Sequence, residues 1–197
     1  MTARIAVLAS GGGSNLQAIL DHFAALGPTR AGVVVLVASN KPDALALHRA
    51  KRAGIPTHHI DANDGEGILA LFRHHGIDLV VLAGYLKLVP HEVTERYRGR
   101  VINVHPGPLP QFGGPGMYGT KVHAAVLAAG VPTTGVTVHF VDERYDQGSI
   151  IAHWPVPVHP DDSAESLAAR VLRVEHIVYP RVVDMLAATF ATGLSTT

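Results

Sequence analysis

An α/β fold with a doubly wound, mostly parallel sheet is predicted for this chain of 197 residues by three observations. Short runs rich in valine and isoleucine alternate with segments of helical periodicity, which implies parallel strands joined by right-handed crossovers. The run Leu79-Val80-Val81-Leu82-Ala83 shows no polar alternation, as expected of a central strand covered on both faces. The first run ends in a glycine loop that opens a helix. Two later runs, joined by a polar turn, predict an antiparallel addition near the C-terminal half.

Ile5-Ala6-Val7-Leu8-Ala9 is the first strand, followed by Ser10-Gly11-Gly12-Gly13-Ser14-Asn15. Leu16, Ile19, Leu20 and Phe23 then recur at helical spacing. The loop lacks the third glycine of a dinucleotide fingerprint and the Gly-Lys-Ser/Thr of a P-loop. It still offers an anion the free amides and dipole of a helix start. Gly32–Ser39 reads as the second strand, with a helix expected from Asn40-Lys41-Pro42-Asp43 and closed by Gly54. Residues 55–60 read as a third strand, 67–74 as a helix, 79–83 as the fourth strand and 90–97 as a further helix. Residues 106–120 hold many glycines and prolines, the composition of a lid or binding loop. Residues 122–127 are expected to be helical, 134–141 and 149–154 to pair as strands. A capping box at Asp162-Ser163-Ala164-Glu165 opens a long final helix whose inner face is Leu167, Val171, Val174, Val178 and Val182. A short polar tail ends Ser195-Thr196-Thr197.

Composition narrows the partners. Sixteen basic and sixteen acidic residues give a formal net charge of zero with histidines neutral. That offers no electrostatic footprint for nucleic acid or an anionic membrane, so small molecules are the expected partners. The chain has no cysteine, which removes disulfides and thiolate metal sites. Its thirteen histidines show no His-x-x-x-His spacing, and no metal is expected. No apolar run approaches the roughly 20 residues of a spanning helix, and the cytoplasm is the expected location. One domain, residues 1–197, is expected, with oligomeric state, including a homodimer, left open.

The chemistry concentrates at Val101-Ile102-Asn103-Val104-His105-Pro106. Alternation along a strand sends Asn103 and His105 to the same side, and Pro106, which has no amide proton, ends the ladder. A polar pair is thus placed at a strand's C-terminal end, where open α/β sheets bind ligands.

Asn103-x-His105-Pro106 and Asp146-x-Gly148 together resemble the folate-dependent formyltransferases, and the whole run from Gly135 to Ile151 is similar to that family's signature. Ser10-Gly-Gly-Gly-Ser-Asn-Leu-Gln-Ala-Ile and Glu175-His-Ile-Val-Tyr-Pro180 are similar to the branch that works in purine biosynthesis. The resemblance runs from Ile5 to about Leu186. It implies a Rossmann-like formyltransferase fold and transfer of the formyl group of the co-substrate 10-formyltetrahydrofolate to the glycyl amine of phosphoribosylglycinamide. By the same resemblance His105, Asn103 and Asp146 are the catalytic residues, with His105 held as an imidazolium by Asp146. Gly13, Ser14, Asn15 and Glu175 are expected to bind the phosphoribosyl substrate, in a phosphate-binding half of about residues 1–100 completed by Glu175. Leu86, Lys87, Leu88, Val89, Asn103, Val141, Asp142 and Asp146 are expected to bind folate, most of them in a half of about residues 101–190. No basic folate contact is assigned between Asp61 and His75, and the loop Pro106-Gly107-Pro108-Leu109-Pro110 departs from the family's usual Pro-Ser-Leu-Leu-Pro. A hydrolase of the formyl donor and a non-catalytic phosphate-binding module are the alternatives.

Overall fold

Seven strands form one sheet in the computed structural model, which describes residues 2–191. β1 (Ala3–Leu8), β2 (Gly32–Ser39), β3 (Thr57–His59), β4 (Leu79–Leu82) and β5 (Val101–His105) run parallel, in the order β3-β2-β1-β4-β5. β6 (Thr133–Phe140) and β7 (Ile150–Pro157) extend the sheet antiparallel beyond β5. The chain leaves β1 toward β2 and β3, then returns to place β4 on β1's other side. That reversal makes the crevice above β1 and β4 the switch point of a doubly wound sheet.

Alternation along each strand divides the core. Ile5, Val7, Leu79 and Val81 face α1 (Ser14–Leu26), α2 (Leu45–Arg52), α5 (Thr120–Ala128) and α6 (Ala164–Ala191). Ala6, Leu8, Val80 and Leu82 face α3 (Gly65–His74) and α4 (His91–Arg96). Every residue of β4 is buried, as its unbroken apolar run predicts.

Two local expectations need correction. The second helix begins at Leu45 rather than near Pro42. Ser39 Oγ accepts the Lys41 amide at 3.0 Å and Ala44 N–H donates to the Lys41 carbonyl at 3.2 Å, so residues 41–44 close a turn before the helix starts. At the head of α6 the reciprocal cap joins Ser163 and Ser166, each hydroxyl accepting the other's amide at 3.1 and 3.0 Å, so that Ser166 and not Glu165 returns the bond to the Ser163 amide. Asp162 instead receives a two-pronged contact from Arg170 at 2.6 and 2.8 Å. The tail at Ser195-Thr196-Thr197 lies outside the described residues.

α6 carries a proline, Pro180, in its interior and still runs for 28 residues. Tyr179, fully buried beside it, reaches under the sheet to the carbonyls of Leu82 at 2.8 Å and Ile102 at 3.3 Å. A buried phenol must find an acceptor. This one pins α6 to β4 and β5, and fixes Glu175 one helical turn earlier.

Candidate active site

Three loops meet at the C-terminal ends of the parallel strands because Ser10 ties them together. Its amide donates to the Gly84 carbonyl at 2.9 Å, its hydroxyl donates to Asn40 Oδ1 at 2.7 Å, and the same oxygen accepts the Leu86 amide at 2.9 Å. The ends of β1, β2 and β4 are thereby locked to one another. Gly13 lies against α2 with φ of 71°, and a Cβ there would come within 2.7 Å of Ala46 Cα. Only glycine fits both the left-handed backbone and that approach. No side chain caps α1, so its first amides are left for solvent or a ligand.

Beside this knot opens a cavity of about 650 Å³, lined by Asn103, His105, His139 and Asp146 on one wall and by residues 84–89 on another. Asn103 and His105 do share a side of β5, and the antiparallel register sets them directly opposite His139 and Thr137 of β6. His139 was not singled out by the sequence reading. Its signal was present: Thr137-x-His139 in a strand antiparallel to Asn103-x-His105 puts two period-two polar pairs face to face.

Asp146 arrives from the turn between β6 and β7. It is the non-glycine residue with positive φ, 56°, among the described residues, a conformation that costs energy unless its surroundings hold it. Gly148 explains part of the holding, since a Cβ there would run into the Phe140 carbonyl. The Gly114 amide supplies the rest by donating to Asp146 Oδ2 at 2.9 Å. Asp146 Oδ2 stands 3.5 Å from His105 Nδ1, and Oδ1 stands 3.5 Å from His139 Nε2. On its far side His105 Nε2 donates to the Phe112 carbonyl at 2.8 Å. His139 Nδ1 likewise donates to the Phe140 carbonyl at 2.8 Å, and its Nε2 stands 3.2 Å from Asn103 Nδ2. These tautomers follow from the carbonyl partners, because a carbonyl can only accept.

The surroundings of His105 pull on its charge state in opposite directions. Burial lowers its pKa below the ordinary value, and although Asp146 and the Phe112 carbonyl pull upward, burial prevails. With Nε2–H held by Phe112, the neutral ring turns a lone pair toward the Asp146 carboxylate. Protonating Nδ1 would convert that repulsion into attraction. Asp146 itself feels burial as an upward push, yet the contacts from His139, His105 and the Gly114 amide together hold its pKa below the usual carboxylate value. Its surroundings thus favour charge on the carboxylate, while burial works against charge on the imidazole.

Glu175 behaves in the opposite way. Burial pushes its carboxyl up to about 7, against the opposing hydrogen bond donated by Asn15 Nδ2 at 2.6 Å. Glu175 is only 7% exposed and lines the cavity.

The other singled-out residues divide. Leu86, Lys87, Leu88, Val89 and Val141 line the cavity, and Leu86 and Leu88 are 47% and 40% exposed at its mouth, ready to cover an apolar ligand. Asp142 faces a neighbouring cleft with Thr94 and Arg98, where its carboxylate accepts the Arg144 amide at 2.9 Å. Asn15 lines the cavity, Ser14 lines a second cleft, and Gly13 is the bend beneath both. His123 of α5, another cavity residue the sequence reading passed over, is buried with no partner for its Nδ1.

The formyl transferase family model matches residues 3–183. The chain is 43% identical over 191 residues to the chloroplastic phosphoribosylglycinamide formyltransferase of Arabidopsis thaliana, covering 93% of this chain but 65% of that relative. It is 40% identical over 190 residues to phosphoribosylglycinamide formyltransferase of Escherichia coli strain K12, covering 93% of this chain and 86% of the bacterial one. Among solved structures, glycinamide ribonucleotide transformylase 1 from Symbiobacterium toebii superposes with a TM-score of 0.86 at 38% identity, covering 94% of this chain and 88% of the other. A match that spans nearly the whole sheet and includes β5 and the β6–β7 turn leaves one assignment: the chain belongs to the formyl transferase family.

Proposed function

We propose that this protein transfers the formyl group of 10-formyltetrahydrofolate to the glycyl amine of phosphoribosylglycinamide, as a step of purine biosynthesis. The observation that carries the reading is the meeting of Asn103, His105 and Asp146 on one cavity wall, with Asp146 Oδ2 3.5 Å from His105 Nδ1. A site with a hydrogen-bond donor, a titratable ring and a charged carboxylate suits acyl transfer to an amine.

In the first step the amine lone pair forms a bond to the formyl carbon, and the carbonyl π pair moves onto oxygen. Asn103, aimed by His139, offers its remaining amide N–H to that oxygen. The growing negative charge favours the protonated form of His105, so the imidazolium forms as the charge develops and not before. In the second step the carbon–oxygen double bond re-forms and the bond to the folate nitrogen breaks. One proton leaves the amine and one reaches the folate nitrogen, with His105 and Asp146 carrying the exchange. Leu86, Leu88 and Val141 pack on the folate, Lys87 stands at its edge, and Gly13, Ser14, Asn15 and Glu175 hold the phosphoribosyl part.

Purified protein incubated with 10-formyltetrahydrofolate, with and without phosphoribosylglycinamide, tests the reading. Release of tetrahydrofolate is expected only when the amine is present, together with the formylated product. Turnover indifferent to the amine would instead favour hydrolysis of the donor, and no turnover in either case would favour a phosphate-binding module. No described helix is long and apolar enough to cross a membrane. A cytoplasmic setting and a single working domain are part of the same proposal.

A further inference from the structure

Three histidines line the main cavity among the described residues, and they differ in what their ring nitrogens already hold. His105 gives Nε2 to the Phe112 carbonyl and turns Nδ1 to Asp146, whereas His139 gives Nδ1 to the Phe140 carbonyl and sets Nε2 beside Asn103 and Asp146. His123 holds nothing. Its Nδ1 is buried without a partner, and its Nε2 makes no hydrogen bond or ion pair within the described residues. A polar ring only 3% exposed has given up water without gaining a partner, a cost in free energy that a bound ligand would recover.

Packing sets this ring near the reacting groups. His123 lies in the opening turn of α5, and its neighbour Val122 belongs to the core that α5 shares with α6, the helix that carries Glu175. A Cβ on Gly107 would stand 2.8 Å from Val122 Cγ1 and 3.4 Å from His105 Nε2. The start of α5 thus closes on the end of β5 at the position where the loop departs from the family's usual serine. Burial and the charge of nearby His105 both push the His123 pKa below its ordinary value, and no carboxylate pulls it back. For His105 the Asp146 carboxylate does pull upward. One imidazole therefore has a carboxylate behind it, and the other has both nitrogens unengaged.

We infer that His123 is a further catalytic residue, the base that takes the proton lost by the acceptor amine. The inference rests on the proposed function and deepens it. The amine nitrogen becomes positively charged as it bonds to the formyl carbon. Its N–H bond then breaks, the electron pair stays on that nitrogen, and the proton forms an N–H bond on the His123 ring. His105 draws a proton from water as charge grows on the formyl oxygen, and gives it to the folate nitrogen as the bond from that nitrogen to the formyl carbon breaks. When the products leave, His123 returns its proton to water, so none is consumed overall. The two rings divide the base and acid work, and His105 need not release the Phe112 carbonyl to do both.

Steady-state kinetics of the whole protein with 10-formyltetrahydrofolate and phosphoribosylglycinamide test this. His123→Gln keeps a hydrogen-bonding side chain but cannot take up a proton. Its kcat is expected to fall on the order of a hundredfold to a thousandfold, with KM for both substrates within about threefold of the parent. His123→Ala should lose as much, and added imidazole should restore part of its turnover in a saturable way. An unchanged kcat in His123→Gln overturns the inference, and so does a raised KM at unchanged kcat, which would make His123 a binding residue alone. Either result leaves the formyl transfer reading intact, because that reading stands or falls on amine-dependent turnover by the parent. The unaltered protein supplies a readout that no variant's folding can obscure. Phosphoribosylglycinamide alone should shift the His123 ring resonances saturably, and a ring that ignores it also overturns the inference.

Discussion

The parallel and antiparallel parts of the sheet build polar surface by different means. At the end of β1 the groups on offer are backbone amides, exposed because Gly13 bends the chain and α2 occupies the neighbouring carbonyls. At the end of β5 they are side chains, Asn103 and His105 from one strand, His139 from the strand beside it and Asp146 from the turn beyond. The first arrangement is local and depends on about five consecutive residues and one packing partner. The second depends on residues 43 positions apart, whose meeting requires the β5–β6 register and a strained turn. A backbone site therefore tolerates side-chain change but not a change of backbone geometry, and a side-chain site tolerates neither.

The sharpest way to break this contrast is Asp146→Asn. Turnover should fall by roughly three to four orders of magnitude, as when the carboxylate orienting a catalytic histidine is neutralised. Because Asp146 pulls the His105 pKa upward, histidine NMR should show that ring titrating at lower pH still in the variant. Retained turnover with an unmoved titration would remove the pair from the mechanism.

Gly13→Ala is the corresponding change on the backbone side. A side chain at φ 71°, with Cβ within 2.7 Å of Ala46 Cα, should cost roughly 2–4 kcal/mol of stability, read from denaturant midpoints. A variant as stable as the parent would mean that the loop is not pinned to α2.

His139→Asn asks whether the side-chain site needs its third member. Loss of the contacts to Asn103 and Asp146 should lower kcat/KM on the order of tenfold to a hundredfold, the worth of one hydrogen bond to a charged group. A role in packing alone would lower the melting temperature and leave the His105 titration where it was.

Glu175→Gln probes the link between the two regions and carries the smallest effect. The folded-state pKa of about 7 lies above the ordinary 4.5, so the native protein holds a proton that the unfolded chain has released between those values. Stability from this group is full below about pH 4.5 and is lost as pH rises through about 7. The variant should flatten that decline and be more stable than the parent at pH 8 by about 1–3 kcal/mol, checked by thermal melts across pH. An unchanged pH dependence would mean that Glu175 keeps its charge when buried.

Much of this was legible in the chain. Strand and helix order followed from periodicity, the burial of β4 from its lack of alternation, and the anion-ready start of α1 from its glycines. Asn103 and His105 were visible as a same-side pair. Asp146 was legible through family resemblance, since nothing local in a polar turn says that its carboxylate reaches another strand. His139 was hidden for a similar reason: one histidine in an alternating strand is ambiguous until the strand opposite is known. The capping box was misplaced because Glu165 and Ser166 both lie within reach of Ser163, and the choice between them depends on where the helix starts.

By itself, then, the sequence determined the fold class, the glycine loop and the side of β5 on which the polar pair emerges, since these follow from alternation and backbone sterics along a few residues. Tertiary structure decided the burial of His105 beside Asp146, the burial of Glu175 and the division of Ser14 from Asn15 between two hollows. Those depend on desolvation and on which distant groups come near, and neither is a property of any short stretch of chain.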